Sequence, residues 1–171
     1  MTIPKESLCE ESTYSKIFRE YSPTLFNYLF YKSGNQSLAM DLTQEAFLKL
    51  WQNCQSVLLA SARGYVFKAA NNLMINEFNH QKVKLKFQQI KRKESSAESP
   101  IFILEEKELK EQLENAISAL PEKQRVVFLM SRIDKKTYKE IAEILGISKQ
   151  AVEKRMYNAL DKLRKVSNKI K

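Results

Sequence analysis

The stretch Tyr138–Asn158, YKEIAEILGISKQAVEKRMYN, constrains this chain more than any other, because its spacing is that of two helices joined by a tight turn. Ala142, Gly146 and Val152 each have a steric reason for their position. Ala142 is small where two helices must nearly touch. Gly146 can adopt the left-handed conformation that ends a helix. Val152 turns inward from the second helix, which Ser148 is placed to cap. Val152, Met156, Ala159 and Leu163 repeat with helical periodicity and predict a buried face, completed by Ile141, Leu145 and Ile147. The opposite face carries Gln150, Glu153, Lys154, Tyr157 and Asn158, a polar set able to reach base edges in a major groove. The competing reading is a plain helical hairpin with a solvated face. The tight turn, the glycine and the local positive charge weigh against it.

That charge is unevenly placed along the 171 residues, which carry a formal net +9. Met1–Asn79 holds 7 basic and 7 acidic residues, and His80–Lys93 holds 6 basic and none acidic. Glu94–Leu120 has 2 basic against 7 acidic, and Pro121–Lys171 has 14 against 6. Two basic blocks separated by an acidic one suggest two nucleic-acid contacts on one chain. Only 3 Gly and 4 Pro argue against a turn-rich β protein, while abundant Leu, Glu, Lys, Gln and Ala favour helix. Cys9 and Cys54 are too few for a disulfide framework and sit in no CxxC or Cys/His cluster. With His80 the one histidine, neither a zinc site nor a histidine-based triad is expected. The N-terminus lacks a signal-peptide pattern and no apolar run is long enough for a bilayer, so a reducing, cytoplasmic setting is expected.

Periodicity predicts helices over Tyr14–Ser33, Ser37–Gln52 and Arg63–Asn79. Pro23 breaks the first into two shorter helices or kinks it. Gly34-Asn35 is a turn, and Asn53–Ser61 a loop. Inward positions are Ile17, Tyr21, Leu25, Tyr28 and Leu29 on the first helix, and Leu38, Leu42, Ala46 and Leu50 on the second, with Phe47 and Trp51 flanking. On the third they are Val66, Ala70, Leu73 and Phe78. Glu94–Pro100, ESSAESP, is the one convincing linker. Ile101–Leu120 then predicts an acidic helix with Leu109, Leu113, Ile117 and Leu120 toward a core, and Pro121 opens the helix Glu122–Arg132 from its first turn. The fold class is all-α: two small helical domains joined by a flexible acidic linker, the second a helix-turn-helix domain. Residues 1–12 are read as a flexible N-terminus, 13–93 as the first domain, 94–103 as the linker and 104–171 as the second.

Two further constellations carry chemistry. Asp41, Gln44, Glu45 and Leu48 share the side of their helix opposite Leu38, Leu42, Ala46 and Leu50. Paired carboxylates can do acid/base work, but no histidine, metal ligand or phosphate loop accompanies them. A solvated face or a docking face for an Arg-rich helix are the other readings. Lys68, Asn71, Asn72, Asn76 and Asn79 form a polar stripe on the next helix, followed by Lys82, Lys84 and Lys86. Four Asn on one helix face cost about half a kcal/mol each in propensity. Side-chain amides suit the exposed edges of unstacked bases, and lysines suit phosphates. Tyr65, Phe67 and Phe78 offer rings for stacking, although aromatics at helical spacing are more often core.

DLTQEAFLKLW (Asp41–Trp51), ARGYVFKAANNLMINEF (Ala62–Phe78), LPEKQRVVFLM (Leu120–Met130) and YKEIAEILGISKQAVEKR (Tyr138–Arg155) follow one another in this order. Together they closely resemble the extracytoplasmic-function group of bacterial sigma factors, over nearly everything from Tyr14 to Lys165. HQKVK (His80–Lys84) and AVEKRMYNAL (Ala151–Leu160) resemble its Bacteroidetes branch. The resemblance implies a non-enzymatic factor without cofactor or small-molecule substrate, which binds core RNA polymerase and directs it to promoters. It implies that Asp41, Gln44, Glu45 and Leu48 meet the β′ clamp helices. It places Lys68, Asn71, Asn72, Asn76, Asn79 and Lys82, with the loop Asn53–Ser61, on the single-stranded minus-10 element. The second domain would read the duplex minus-35 element and touch the β flap, with Glu153, Lys154, Tyr157 and Asn158 in the groove beside Gln150. Lys149, Arg155 and Lys135 would contact phosphates. A membrane-bound anti-sigma protein is a common further partner in such a family.

The chain departs from the family pattern where Tyr65-Val66-Phe67-Lys68 stands for Trp-Leu-Tyr-Arg, and Glu153 replaces a frequently basic residue. A carboxylate there accepts from cytosine N4 instead of holding a phosphate. The alternative function is a stand-alone helix-turn-helix regulator that binds duplex DNA without polymerase. It leaves the acidic helix and the amide stripe unexplained.

Overall fold

A computed structural model describes residues 7–78 and 110–167, and the side chains of Phe78, Val166 and Ser167 are not among those described. Every regular element among the described residues is helical. The chain divides into two compact units, Met1–Lys84 with Glu143–Gly146, and Leu85–Ala142 with Ile147–Lys171. Glu143–Gly146 are continuous with the helix-turn-helix and are described with it.

In the first unit, α1 (Glu11–Ser33) and α2 (Gln36–Gln52) form a hairpin. Gly34, at φ 66°, ends α1 in the left-handed conformation, and the Asn35 side chain accepts from the Leu38 N–H at 3.0 Å to start α2. A short 3-10 turn (Leu59–Ser61) leads into α3 (Ala62–Phe78), which packs on both other helices. Pro23 lies inside α1 without breaking it. It forfeits one backbone hydrogen bond. Thr13 before it and Leu25 and Leu29 beyond it are buried in the same unit, and that burial carries the helix through.

The core is built from Leu25, Leu29, Ala39, Leu42, Ala46, Phe47, Leu50, Val66, Ala70 and Met74. Phe47 is fully enclosed rather than flanking, and Met74 takes the depth expected of Leu73. A contact stripe on α3 that runs through Val66 and Ala70 continues at Met74, one helical repeat on. Tyr14 joins α1 to α2 by donating its hydroxyl to the Phe47 carbonyl at 2.8 Å, and burial pushes its pKa up.

Cys9 and Cys54 form a disulfide, with Cα atoms 5.1 Å apart and a sequence separation of 45. The sequence reading, which found two cysteines too few for a disulfide framework, does not contain this single bond. Two cysteines far apart in sequence carry no pairing signal until α1 and α2 fold back on each other. Closing a loop of that length constrains the unfolded chain by about 4 kcal/mol in the chain-entropy account.

The second unit contains α4 (residues 110–118), α5 (Glu122–Arg132), α6 (Tyr138–Leu145) and α7 (Lys149–Ser167). Leu120, Val126, Val127, Met130, Ile141, Val152, Met156 and Ala159 form its core. Leu113, expected inside, is exposed, and Ile117 is half-buried, so the apolar stripe of α4 meets the unit only at its C-terminal end. Leu109 lies outside the described residues. Pro121 stands at the N-cap of α5 rather than within its first turn. Arg125 is buried and donates from Nη1 to the carbonyls of Leu120 at 2.8 Å and Ser118 at 3.3 Å, closing the exposed end of α4. Burial pushes the Arg125 pKa below its ordinary value, while Glu122 acts the other way.

The turn between α6 and α7 follows from its sequence. Thr137 and Glu140 form a capping box, with the Thr137 N–H donating to Glu140 Oε2 at 2.8 Å and the Glu140 N–H to Thr137 Oγ1 at 3.3 Å. Gly146, at φ 63°, ends α6, and the Ile147 N–H returns to the Ala142 carbonyl at 3.0 Å. That pair is a Schellman closure. Ser148 Oγ then accepts from the Ala151 N–H at 3.1 Å to start α7.

Two substitutions check these assignments by urea unfolding of the full chain. Arg125→Met should destabilise the second unit by about 2 kcal/mol, because two carbonyls lose a charged donor. A Cβ built on Gly146 meets no atom within 4 Å, so Gly146→Ala should cost about 1 kcal/mol through the left-handed backbone alone.

Candidate functional site

The described residues present three candidate surfaces, two on the first unit and one on the second. Because α2 buries Leu42, Ala46, Phe47 and Leu50, its other side turns out to solvent. Asp41, Gln44, Glu45 and Leu48 are all exposed there, Leu48 by 53%. Glu45 lies 3.7 Å from Lys49, an exposed pair of little energetic weight. Beside them runs an open groove of about 610 Å³ between α1 and α2, lined by Tyr14, Phe18, Gln44, Phe47, Leu48 and Trp51 among others. Its aromatic rings meet edge to face, Tyr14 with Trp51 at 4.9 Å and Phe18 with Phe47 at 4.8 Å between centroids. Phe18 and Trp51 remain 38% and 40% exposed, which is unusual for large apolar residues grouped together. The sequence reading above does not contain this groove. Its signal is two aromatic pairs four residues apart, Tyr14 with Phe18 and Phe47 with Trp51, a spacing that core and flank positions share.

On α3 the amide stripe separates into two sets. Lys68, Asn72 and Asn76 are exposed or border solvent and line a cavity of about 370 Å³ together with Lys49, Tyr65, Ala69 and Leu73. Asn71 leaves this set. It is half-buried, and its Oδ1 accepts from Lys32 Nζ at 2.6 Å and from the Tyr28 hydroxyl at 3.2 Å. Lys32 also sits 5.3 Å from the Tyr28 ring centroid, in cation–π range. The reason is helical phase: Asn71 lies about 100° around the helix from Asn72, facing α1 rather than solvent. Lys49 and Tyr65 are unexpected neighbours of the stripe. Their meeting depends on how α2 packs on α3, and one helix's periodicity does not contain that. Asn79 and Lys82 lie outside the described residues, as does the rest of the basic run after α3.

On α7, the burial of Val152, Met156 and Ala159 turns Gln150, Glu153, Lys154 and Tyr157 outward. Tyr157 is 69% exposed. Arg155 and Asn158 are half-buried at the margin of this face. Lys149, at the first turn, is exposed and lies 3.4 Å from Glu153. The carboxylate that departs from the expected basic residue is thus paired along its own helix. Among the described residues no group of three His, Cys, Asp or Glu side chains is placed to hold a metal ion.

A helical unit with a mixed apolar and acidic face, followed by a helix-turn-helix, matches known families in two places. Residues 17–83 match Sigma-70 region 2, and residues 110–163 match Sigma-70, region 4. The chain belongs to the sigma-70 family. The two matches together span well over half of the chain, in the order region 2 then region 4. The ECF RNA polymerase sigma factor SigE of Mycolicibacterium smegmatis is 23% identical over 155 residues, covering 89% of this chain and 60% of that protein. The RNA polymerase sigma factor YlaC of Bacillus subtilis is 27% identical over 154 residues, covering 87% of this chain and 88% of that protein. Among solved structures, the sigma factor RpoE in complex with the anti-sigma factor NepR from Bartonella quintana shares the fold. It has a TM-score of 0.59 and 15% identity, over 91% of this chain and 96% of that one. The chain is an extracytoplasmic-function member of the sigma-70 family. It is a polymerase-binding sigma factor and not a stand-alone regulator, because a region 2 unit precedes the unit with the helix-turn-helix. No helix among the described residues is long and apolar enough to cross a membrane.

The split of the amide stripe has a measurable consequence. Asn71→Ala should lower the unfolding free energy of the first unit by about 1–2 kcal/mol, because Lys32 and Tyr28 lose their shared acceptor. The exposed change Asn72→Ala should stay within about 0.5 kcal/mol. Chemical denaturation of both variants distinguishes them, and equal effects would contradict the two-set reading.

Proposed function

We propose that this sigma factor docks on the β′ clamp helices of core RNA polymerase through Asp41, Gln44, Glu45 and Leu48, and engages promoter DNA through both units. The observation that carries the docking assignment is the continuity of these exposed residues with the aromatic groove, since Gln44 and Leu48 line both. Carboxylates at one edge and exposed Leu48, Phe18 and Trp51 beside them suit a partner helix that offers arginines next to apolar side chains.

Lys68, Asn72 and Asn76 then face the single-stranded minus-10 element, with Lys49 and Tyr65 completing a cavity suited to one unstacked base and its phosphate. The loop Asn53–Ser61 borders the same strand, and Asn79 and Lys82 extend the contact along it. Asn71 acts as a positioning residue that fixes α3 against α1. In the second unit Gln150, Glu153, Lys154, Tyr157 and Asn158 read the minus-35 duplex, while Lys149, Arg155 and Lys135 hold phosphates, and the unit touches the β flap. Binding both elements through one chain raises the effective concentration of the second contact, so each need be only modest alone. The factor acts in the cytoplasm without catalytic residues or cofactor, answers to a membrane-bound anti-sigma protein, and belongs to a Bacteroidetes-like branch. Its domain limits are 13–93 and 104–171, joined by the linker 94–103, with Leu8 and Cys9 packed and bonded onto the first domain from just outside that limit.

Two measurements test the assignments. Asp41→Ala combined with Gln44→Ala should weaken binding to core polymerase by about tenfold, the effect of losing two contacts at the edge of a docking site. Promoter preference should be unaltered. Glu153→Gln should leave polymerase affinity alone and change the base preferred in the minus-35 element by about 1–3 kcal/mol. Run-off transcription over a pool of promoters, read by sequencing, reports the second effect. Unchanged preference would remove Glu153 from the groove.

A further inference from the structure

The disulfide between Cys9 and Cys54 joins two segments of very different anchorage. On the N-terminal side, Leu8 is buried at 2% exposure and Thr13 at 5%, and the Glu10 N–H bonds to the Ser7 carbonyl at 3.1 Å. Cys9 is therefore held on a packed base. On the other side, Cys54 opens the segment between α2 and the 3-10 turn. No residue from Asn53 to Ser61 is buried, and Leu58 is 68% exposed. The backbone hydrogen bonds of this segment are local. Cys54 bonds to Trp51, Ser56 and Val57 to Asn53, and Ser61 to Leu58. The disulfide is its covalent tie to a distant part of the unit. Both cysteines are half-buried, and Glu10, Asn53 and Gln55 around them are exposed, so a small dithiol can approach the bond.

We propose that Cys9–Cys54 is a reversible redox modification site that sets how far the loop 53–61 is ordered, and through it the capture of the opened promoter strand. The inference rests on the assignment of that loop to single-stranded DNA. In the oxidised form, the root of the loop is fixed to a packed segment. It meets the strand without first losing that freedom, and preorganisation of this kind raises affinity. In the reduced form, the same loop keeps its local hydrogen bonds but loses its covalent tie to the N-terminal segment, and ordering it opposes strand capture.

The chemistry is thiol–disulfide exchange with a dithiol reductant. One reductant thiolate attacks a sulfur of the Cys9–Cys54 bond, forming a mixed disulfide and releasing the other cysteine as a thiolate, which takes up a proton. The second reductant thiol, on losing its proton, displaces the remaining cysteine sulfur. The reductant leaves as a disulfide, and Cys9 and Cys54 end as two thiols, having gained two electrons and two protons. A disulfide oxidant reverses the exchange.

The test uses the full chain with core RNA polymerase on one promoter. The chain is first treated with dithiothreitol or with oxidised glutathione, and its thiol state is verified by alkylation and mass measurement. Polymerase affinity and promoter opening, followed by permanganate reactivity of unpaired thymines, are read separately. The oxidised chain should open the promoter about tenfold more effectively than the reduced chain, a factor comparable to ordering one backbone residue. Polymerase affinity should be equal in both forms. Cys9→Ser and Cys54→Ser should behave like the reduced chain under either treatment. Equal opening by the two verified forms would overturn the proposal, even with a difference in thermal midpoint, because the bond would then be structural only. Redox sensitivity that persists in the serine variants, or cysteines that stay as thiols in the oxidant, would overturn it too. Failure of every form to bind polymerase would instead remove the proposed function, and with it the assignment of the loop to single-stranded DNA on which the inference rests.

Discussion

The enclosure of Leu42, Ala46, Phe47 and Leu50 between α1 and α3 is the constraint on which the first unit depends. Each candidate surface there is the reverse side of a helix whose other face this burial fixes. With α2 held by those four side chains, Asp41, Gln44, Glu45 and Leu48 have nowhere to point except outward. Ala39, Ala46 and Ala70 are completely buried, and such small residues let helix backbones approach closely. That approach brings Tyr14 within hydrogen-bond distance of the Phe47 carbonyl and lines up the aromatic groove. The same logic governs α7, where Val152, Met156 and Ala159 face inward and Glu153, Lys154 and Tyr157 face out. Apart from Phe47, which is buried and also lines the groove, the outward-facing residues of these surfaces are not part of the core, so they can change with little loss of stability. That separation lets specificity change on a fold that stays the same.

Much of this fold is legible in the amino-acid sequence, for identifiable reasons. Gly34 and Gly146 announce left-handed helix ends that few other residues tolerate, and both are found at positive φ. Ser148 and Asn35 are caps by chemistry as well as by position. The inward stripe of α7 is a long, regular repeat, and Val152, Met156 and Ala159 are buried where it places them. Sequence and structure part where tertiary packing decides. Pro23 signals a break, yet burial on both of its sides keeps α1 whole. Leu113 has the right spacing for a core position, yet α4 packs only at its far end.

The candidate sites divide in the same way. A single helix's periodicity identifies which residues share a face, and so the acidic set on α2 and the polar set on α7 are legible. It does not identify which of two neighbouring amides turns toward another helix. Asn71 and Asn72 are adjacent in sequence, but Lys32 and Tyr28, roughly forty residues earlier, claim only the first. Lys49 and Tyr65 join the remaining amides through the packing of α2 on α3, a relation between helices. The Cys9–Cys54 bond is the extreme case. Its two ends sit in unrelated sequence contexts and meet only once the hairpin has closed.

The central claim is that promoter recognition by this chain requires polymerase. Footprinting of the full chain on one promoter, with and without core RNA polymerase, tests it most directly. The account predicts protection of both the minus-10 and minus-35 elements with polymerase, unpaired thymines at the minus-10 element, and weak, salt-sensitive binding by the chain alone. Strong protection of a promoter by the chain alone, unchanged when polymerase is added, would contradict it.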